Sequence, residues 1–369
     1  MKVCHIIINL NIGGAELMLK RLVERENNHK HLVVTLLDGG VLKDTLTDSG
    51  VKVYSLNIRR LIDLPGKFIL LCRILRTHNV NVVQTWMYHS DIFGGIAGKV
   101  CGIKKIIWNV RNTDLQGRGK INTLFRKICG LCSYFLPNKV IYVSNSARKS
   151  HEYSGYDKSK GKVIYNGFDL DKYSFSQANR KEYREKIEVN NDDYLIFSVG
   201  RFTKAKDHIT FIDMIIKLRQ VNPSVKGVLV GRGLSNCNEK IMHMIGNEIG
   251  GFILLGERGD ISSLLCSADL FCLHSRTEGF PNVLGEAMSI GLPCVTTKAG
   301  DAEFILGDNR FTATVGSVDD LESTVTRMKS LTISERKEIG CNNRNRVVRL
   351  FELSKIIDEY SHLYEGSEV

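Results

Sequence analysis

Glu278 and Glu286 stand eight positions apart, with Gly279, Phe280, Pro281 and Asn282 directly after the first. Pro281 precedes an apolar run of Val283, Leu284, Ala287 and Met288, which predicts a helix opening at the proline. Glu278 then lies in the loop before that helix, and Glu286, about one turn in, shares the helix with Asn282. The free N–H groups and positive dipole end of such a helix suit a diphosphate. Two carboxylates flanking an anion site are hard to explain as packing.

Other candidates sit at the ends of apolar runs. Arg201 and Lys206 follow residues 195–199, where a guanidinium and an ammonium can neutralise a diphosphate leaving group. A solvated basic loop fits the spacing equally well; Gly200 before Arg201 and a helix beginning near Asp207 favour the ligand reading. Gly13-Gly14 closes the first strand and lets backbone approach a ligand, or simply makes a tight strand-to-helix turn. His89 follows the fourth strand, and that position is its only local argument for function. His5, inside the first strand, reads as core.

These positions need a scaffold, and the chain supplies one. Strand patterns at 3–8, 32–36, 51–56, 82–85, 106–109 and 140–143 alternate with helical patterns at 16–23, 68–76, 92–100 and 121–135. The series predicts a parallel sheet covered by helices on both faces. A polar segment at 171–179 reads as a linker, after which strands recur at 195–199, 228–230, 252–255, 270–273 and 293–296. Helical stretches at 318–329, 334–350 and 356–364 close the chain. The expectation is two doubly wound α/β domains, residues 1–175 and 176–352, with ligands at the carboxyl ends of the strands in a cleft between them.

Composition narrows the class. A chain of 369 residues with 43% hydrophobic content exceeds one ordinary core. No apolar run approaches a membrane span, and residues 1–6 enter a strand without a signal-peptide pattern. Ten scattered cysteines, mostly in apolar settings, read as reduced thiols of a cytosolic protein, including the pair Cys129 and Cys132. Residues 1–175 carry 27 Lys and Arg against 13 Asp and Glu; residues 176–369 carry 24 against 27. Only the first domain therefore faces an anionic partner, unless its charge is a generally solvated surface. Lys120, Leu124, Phe125, Arg126, Lys127, Ile128 and Leu131 mix bases with apolar residues at helical spacing. They fit a helix on a membrane surface or one packed on the sheet.

The motifs in order resemble those of the retaining family 4 (group 1) glycosyltransferases of GT-B fold. They are Gly13 to Glu16, Trp86 to Ser90, Val143 to Ser146, Val163 to Asp169, Val199-Gly200-Arg201, Leu229 to Gly233, Leu255-Gly256, Ser275 to Glu286 and Ala299 to Glu303. The resemblance implies that Arg201 and Lys206 bind the donor pyrophosphate and that Gly14 approaches its phosphate. Glu278 faces the donor sugar, near backbone amides of Gly279, Phe280 and Asn282, Val283 is also counted among the donor-binding residues, and Glu286 accepts hydrogen bonds from the ribose. His89 lies near the reaction centre, and backbone near Arg258 holds the base. The chain departs from the family at Ala299-Gly300-Asp301-Ala302-Glu303, where Gly-Gly before a Pro-Glu pair is usual. The C-terminal helix, about 353–369, packs back on the first domain.

The implied reaction moves a sugar from a nucleotide diphosphate sugar, UDP-linked, to a hydroxyl with retention. No Asp-x-Asp pair ends a strand, so no metal and no cofactor is expected. The basic half points to a lipid-linked saccharide acceptor in O-antigen or capsule synthesis, and to peripheral attachment on the inner face of the cytoplasmic membrane, where each nearby Lys or Arg adds about 1 kcal/mol. Two alternatives are a nucleotide-sugar 2-epimerase of the same fold and a non-enzymatic, basic nucleic-acid-binding protein. No zinc spacing, helix-turn-helix or aromatic-rich basic strand supports the latter.

Overall fold

The computed structural model describes residues 1–112 and 119–366, with the backbone alone for 119–122. The Lys120 side chain thus lies outside the described residues. The chain divides into two units, Met1–Gly167 with Ser354–Val369, and Phe168–Leu353.

The first unit runs β1 (Lys2–Ile7), α1 (Gly14–Arg25), β2 (Lys30–Thr35), α2 (Lys43–Asp48), β3 (Lys52–Ser55), α3 (Leu64–Thr77), β4 (Val82–Trp86), α4 (Tyr88–Val100), β5 (Lys105–Val110), α5 (Gly119–Cys132), β6 (Lys139–Tyr142), α6 (Asn145–Tyr153) and β7 (Gly161–Val163). All seven strands are parallel in the order β3-β2-β1-β4-β5-β6-β7. Val3, Ile6, Val33, Val83, Ile106 and Val140 are buried, as strands covered on both faces require. The order reverses between β1 and β4, and there the loops leaving the two strands part.

The second unit runs α7 (Gln177–Lys186), β8 (Tyr194–Val199), α8 (His208–Val221), β9 (Val225–Val230), α9 (Glu239–Ile245), β10 (Phe252–Gly256), α10 (Ile261–Leu265), β11 (Leu270–Leu273), α11 (Asn282–Ile290), β12 (Cys294–Thr297), α12 (Ala302–Leu306), β13 (Thr312–Ala313), α13 (Val318–Ser330) and α14 (Ile333–Phe351). Its parallel order is β10-β9-β8-β11-β12-β13, reversing between β8 and β11.

The final helix, α15 (Leu353–Glu365), belongs to the first unit from Ser354 onward. Asn109 donates to the Tyr360 hydroxyl at 3.1 Å, Ser361 donates to Glu26 at 3.0 Å, and Tyr364 bonds Gln84. Glu26 also takes His31 at 2.6 Å and His29 at 3.0 Å. Burial opposes its charge, but these bonds hold its pKa down to about 2. The network continues inward: Trp86 donates to His5 Nδ1 at 3.3 Å, and His5 Nε2 lies 2.9 Å from His31 Nδ1. His5 is fully buried.

The boundary falls eight residues before the sequence-based one at 175, and the segment read as a linker is packed. Phe168 is fully buried in the second unit; its N–H donates to Phe351 O at 2.8 Å, and its carbonyl takes Leu353 N–H at 3.0 Å. Its ring lies 6.0 Å from Phe280 and 6.5 Å from Phe351. Tyr173 is buried, and Ser176 caps α7, a helix the polar pattern hid. β7 and β13, with three and two residues, carry too little periodicity to be seen in sequence.

Gly285, on α11, is where Phe168 fits: a Cβ there would lie 2.1 Å from the ring's Cζ. Gly285→Ala should lower the denaturant midpoint of the second unit by the equivalent of about 1–3 kcal/mol, the usual cost of overpacking. An unchanged midpoint would show that the Phe168 ring is free to move aside.

Candidate functional site

In the second unit the loops after β8 and β11 leave neighbouring strands on the two sides of the switch. Lys206 stands on the first loop and Glu278 on the second. The Lys206 ammonium lies 2.6 Å from Glu278 Oε1, and Ser275 donates to the same oxygen at 2.6 Å. Both charges are partly buried, with the Lys206 side chain 24% and the Glu278 side chain 11% exposed. Just beyond Glu278, α11 begins at Asn282 with Pro281 as its cap, so the helix opens where the proline placed it. The cap residue makes no side-chain hydrogen bond to that end, and the Leu284 N–H turns back to Pro281 O at 3.1 Å. Asn282, Val283 and Glu286 are half-buried on this helix.

Neighbouring loops hold the two in place. Gly300 has φ +58°, and a Cβ there would lie 2.0 Å from Glu278 O. The Asp301 N–H reaches Gly279 O at 3.3 Å. The altered loop Ala299–Glu303 is thus a backbone brace for the Glu278 turn. Gly231, at φ +146°, packs equally tightly against Gly200, where a Cβ would lie 2.1 Å from the carbonyl oxygen. The Gly231 N–H donates to Gly256 O at 2.7 Å. Arg201 follows Gly200, exposed, and its charge helps lower the pKa of Glu257, whose larger cause is Arg232 at 3.0 Å. Arg258 is exposed and forks Asp260 at 2.9 and 2.6 Å.

The predicted residues Arg201, Lys206, Glu278, Gly279, Asn282, Val283 and Glu286 all stand on loops or helix starts at the carboxyl end of this sheet. Phe280 is different: its ring is buried against Phe168 and Phe351, so only its backbone is available. Sequence reading missed Ser275 as the second partner of Glu278. Its spacing of three from the glutamate was the available signal. It also missed Asp207, in left-handed conformation at φ 53°, whose buried carboxylate takes Arg276 at 3.0 Å and Thr210 at 2.8 Å.

In the first unit the same rule places Gly14 and His89. Gly13 caps α1 in extended conformation and Gly14 opens the helix, exposed. His89 stands in the first turn of α4, across the switch. Its ring stacks on Phe125 of α5, centroids 4.7 Å apart, and desolvation lowers its pKa, leaving a neutral imidazole near pH 7. The turn before it is strained: Met87 has φ 73° and ψ 155°, a region nearly restricted to glycine. Bonds from Met87 N–H to Asn109 O at 3.1 Å and from Asp91 N–H to Met87 O at 3.0 Å hold it.

Two family models match the chain: Glycosyltransferase Family 4 over residues 12–172 and Glycosyl transferases group 1 over residues 179–346. The chain belongs to this glycosyltransferase family. It has the GT-B fold, and this activity takes the place of the epimerase and nucleic-acid alternatives. It is 26% identical, over 99% of its length and 96% of the relative, to UDP-Gal:alpha-D-GlcNAc-diphosphoundecaprenol alpha-1,3-galactosyltransferase of Escherichia coli. It is 25% identical, over 99% and 98%, to the capsular polysaccharide biosynthesis glycosyltransferase CapH of Staphylococcus aureus. The crystal structure of Anabaena Alr3699/HepE with UDP superposes with a TM-score of 0.86 at 21% identity, covering 99% of this glycosyltransferase and 100% of that chain. WaaG, a glycosyltransferase involved in lipopolysaccharide biosynthesis, gives 0.70 at 17%, covering 99% and 100%.

A carboxyl beside His89 has a measurable consequence. Asp91 is fully buried; Thr85 donates to its Oδ1 at 2.6 Å, and Oδ2 has no partner among the described residues. Burial raises its pKa to about 7. The folded protein then binds a proton that the unfolded chain releases, so stability falls as pH rises from about 4 to about 7. Asp91→Asn should remove that component. The variant should gain on wild type across this window, by on the order of 2–4 kcal/mol at its upper end, in paired thermal or denaturant melts. Parallel pH profiles for the two proteins would refute the assignment.

Proposed function

We propose that this glycosyltransferase moves a hexose or N-acetylhexosamine, with retention, from a UDP-sugar to a hydroxyl of a lipid-diphosphate-linked saccharide in bacterial surface-polysaccharide assembly, O-antigen or capsule. The observation that carries the reading is the Lys206–Glu278 pair, 2.6 Å apart just before the start of α11. The relative from Escherichia coli, whose name gives a UDP-sugar donor and an undecaprenol diphosphate acceptor, supports the substrate classes.

In this reading the donor diphosphate competes with Glu278 for the Lys206 ammonium. Arg201 and the first-turn amides of α11 complete the anion site, and they stabilise the leaving group without a metal. Glu278, released from Lys206, keeps Ser275 and turns to the donor sugar. Glu286, one turn into α11, accepts from the ribose hydroxyls. Gly14 and His89 are the candidate residues of the first unit. The leaving phosphate oxygen takes the acceptor proton on the face from which the acceptor attacks.

Lys206→Ala should weaken UDP-sugar binding and slow turnover, by about 1.5–3 kcal/mol in kcat/KM, since a charge-assisted contact to the leaving group is lost. Glu278→Gln should lower kcat with little change in donor affinity. A thermal-shift panel of UDP-, GDP-, ADP- and dTDP-sugars identifies the donor. Wild-type kinetics in both variants would place the chemistry elsewhere.

Peripheral attachment to an anionic membrane surface is part of the same proposal. No helix among the described residues is long and apolar enough to cross a membrane. On α5, however, Leu124, Lys127, Ile128 and Leu131 are exposed, and Phe135 just beyond it is 72% exposed. Apolar groups with a flanking base at helical spacing suit the plane of a lipid interface. The protein should float with vesicles containing anionic lipid, be released by salt, and ignore neutral vesicles. Leu131→Gln with Lys127→Glu should reduce recovery several-fold while donor affinity stays constant. Equal recovery with both vesicle types would point to a soluble acceptor.

A further inference from the structure

One face of the first unit is almost free of negative charge. With right-handed crossovers, the strand order places α3, α4 and α5 on one side of the sheet and α1 and α2 on the other, and α4 packs against both α3 and α5. Residues 64–113 hold seven Lys and Arg and a single carboxylate, Asp91, which is fully buried. Asp63, just before α3, accepts the N–H groups of Arg59 and Arg60 at 3.2 and 2.9 Å. Lys67, Arg73, Arg76 and Lys99 pair with no carboxylate among the described residues. On the opposite side, α1 by contrast sets Lys20 against Glu24 at 2.6 Å.

A groove of about 410 Å³, open to solvent, runs between α3 and the end of α4. Phe68, Ile69, Cys72, Arg73 and Arg76 line it from α3, and Val100 from α4. The two helices are fixed against each other: Phe68 meets Phe93 edge-on with centroids 5.6 Å apart, and the Cys101 thiol donates to Cys72 O at 3.7 Å. Arg76 reaches across to Val100 O at 3.5 Å. The walls are accessible, with Ile69 62% and Val100 55% exposed. Ile62, Gly66, Ile69, Arg73 and Arg76 recur at intervals of three or four residues and are all exposed. They form one stripe along α3 and the turn before it, apolar first and cationic after. Exposed apolar groups gathered in this way mark an interaction surface.

Charge decides the partner. In a two-fold contact with a second copy, each chain would present the same stripe, and the cations would face one another. An anionic amphiphile matches both parts of the groove. Its phosphate meets the guanidinium groups of Arg73 and Arg76, and its alkyl chain lies on Phe68, Ile69 and Val100. We propose, resting on the peripheral attachment proposed above, that the α3–α4 groove binds one anionic phospholipid. The membrane-facing surface then extends from α5 across α4 to α3, and α3 supplies the selection for anionic head groups.

The test is isothermal titration of the full chain with dihexanoyl phosphatidylglycerol and dihexanoyl phosphatidylcholine, each below its critical micelle concentration. Wild type should bind one saturable equivalent of the anionic lipid, and bind the zwitterionic one about fivefold more weakly or not at all. Arg73→Glu with Arg76→Glu should weaken the anionic lipid by about tenfold. Val100→Asp should weaken it by about fivefold, and Ile69→Gln carries that arm if the aspartate variant fails to fold. Lys30→Glu with Lys52→Glu, the same change of charge at exposed positions outside the groove, should leave binding unchanged. Absence of saturable binding, equal binding of the two lipids, or unchanged binding in the Arg73/Arg76 variant overturns the groove while wild-type flotation upholds the attachment. A concentration-dependent dimer abolished by Ile69→Asp overturns it in favour of a second copy, and tighter binding of a random DNA duplex in favour of nucleic acid. Wild type that binds the short-chain lipid but fails to float with anionic vesicles sinks the attachment reading alone.

Discussion

An ammonium and a carboxylate held 2.6 Å apart at the reversal of a parallel sheet are the constraint around which the second unit is arranged. The two strands that carry them are neighbours, yet their crossovers run to opposite sides, so no connection fills the space above them. Charges drawn partly out of water need compensation, and each supplies it for the other, with Ser275 as a third party. Removing either alone would leave the survivor half-buried and unpaired. The Lys206 ammonium gives one of its three N–H donors to Glu278, and the Lys206 side chain is 24% exposed.

Holding that arrangement demands close backbone approach from loops on both sides. Gly300 and Gly231 have positive φ, and a Cβ on either would meet a neighbouring carbonyl oxygen near 2 Å, at 2.0 and 2.1 Å. The first unit follows a different route to the same end. There the turn into α4 is made by Met87, not glycine, and its strain is held by two backbone bonds and by packing. Behind it lies the chain of Trp86, His5, His31 and Glu26, tied off by Ser361 of the C-terminal helix. A strained turn beside His89 thus rests on a buried polar network that reaches the far end of the sequence.

The strands were legible because parallel strands covered on both faces are continuous apolar runs. Arg201, Lys206 and His89 stood out as candidates because they follow such runs, and Glu278 because Pro281 and the apolar run after it marked a helix start. What sequence concealed has a common cause: it depends on partners distant along the chain. The segment 171–179 looked like a linker because its polar pattern hid both the buried Tyr173 and the Ser176 cap of α7. The Ala299–Glu303 loop looked like a departure from a motif, because its work is done by Gly300 against the Glu278 carbonyl rather than by side chains. The burial of the Phe280 ring against Phe168 and Phe351 was hidden for the same reason, since both partners are distant in sequence.

Helix α5 shows how one element serves two demands. Phe125 gives its ring to His89, at 4.7 Å, while Leu124, Ile128 and Leu131 on the same helix face water. Ile128 is three residues from Phe125 and so lies on a neighbouring part of the same helix face, not across the helix from it. The membrane contact proposed for Leu124, Ile128 and Leu131 would therefore sit beside the Phe125–His89 stack, and a charge placed at Ile128 would disturb both at once.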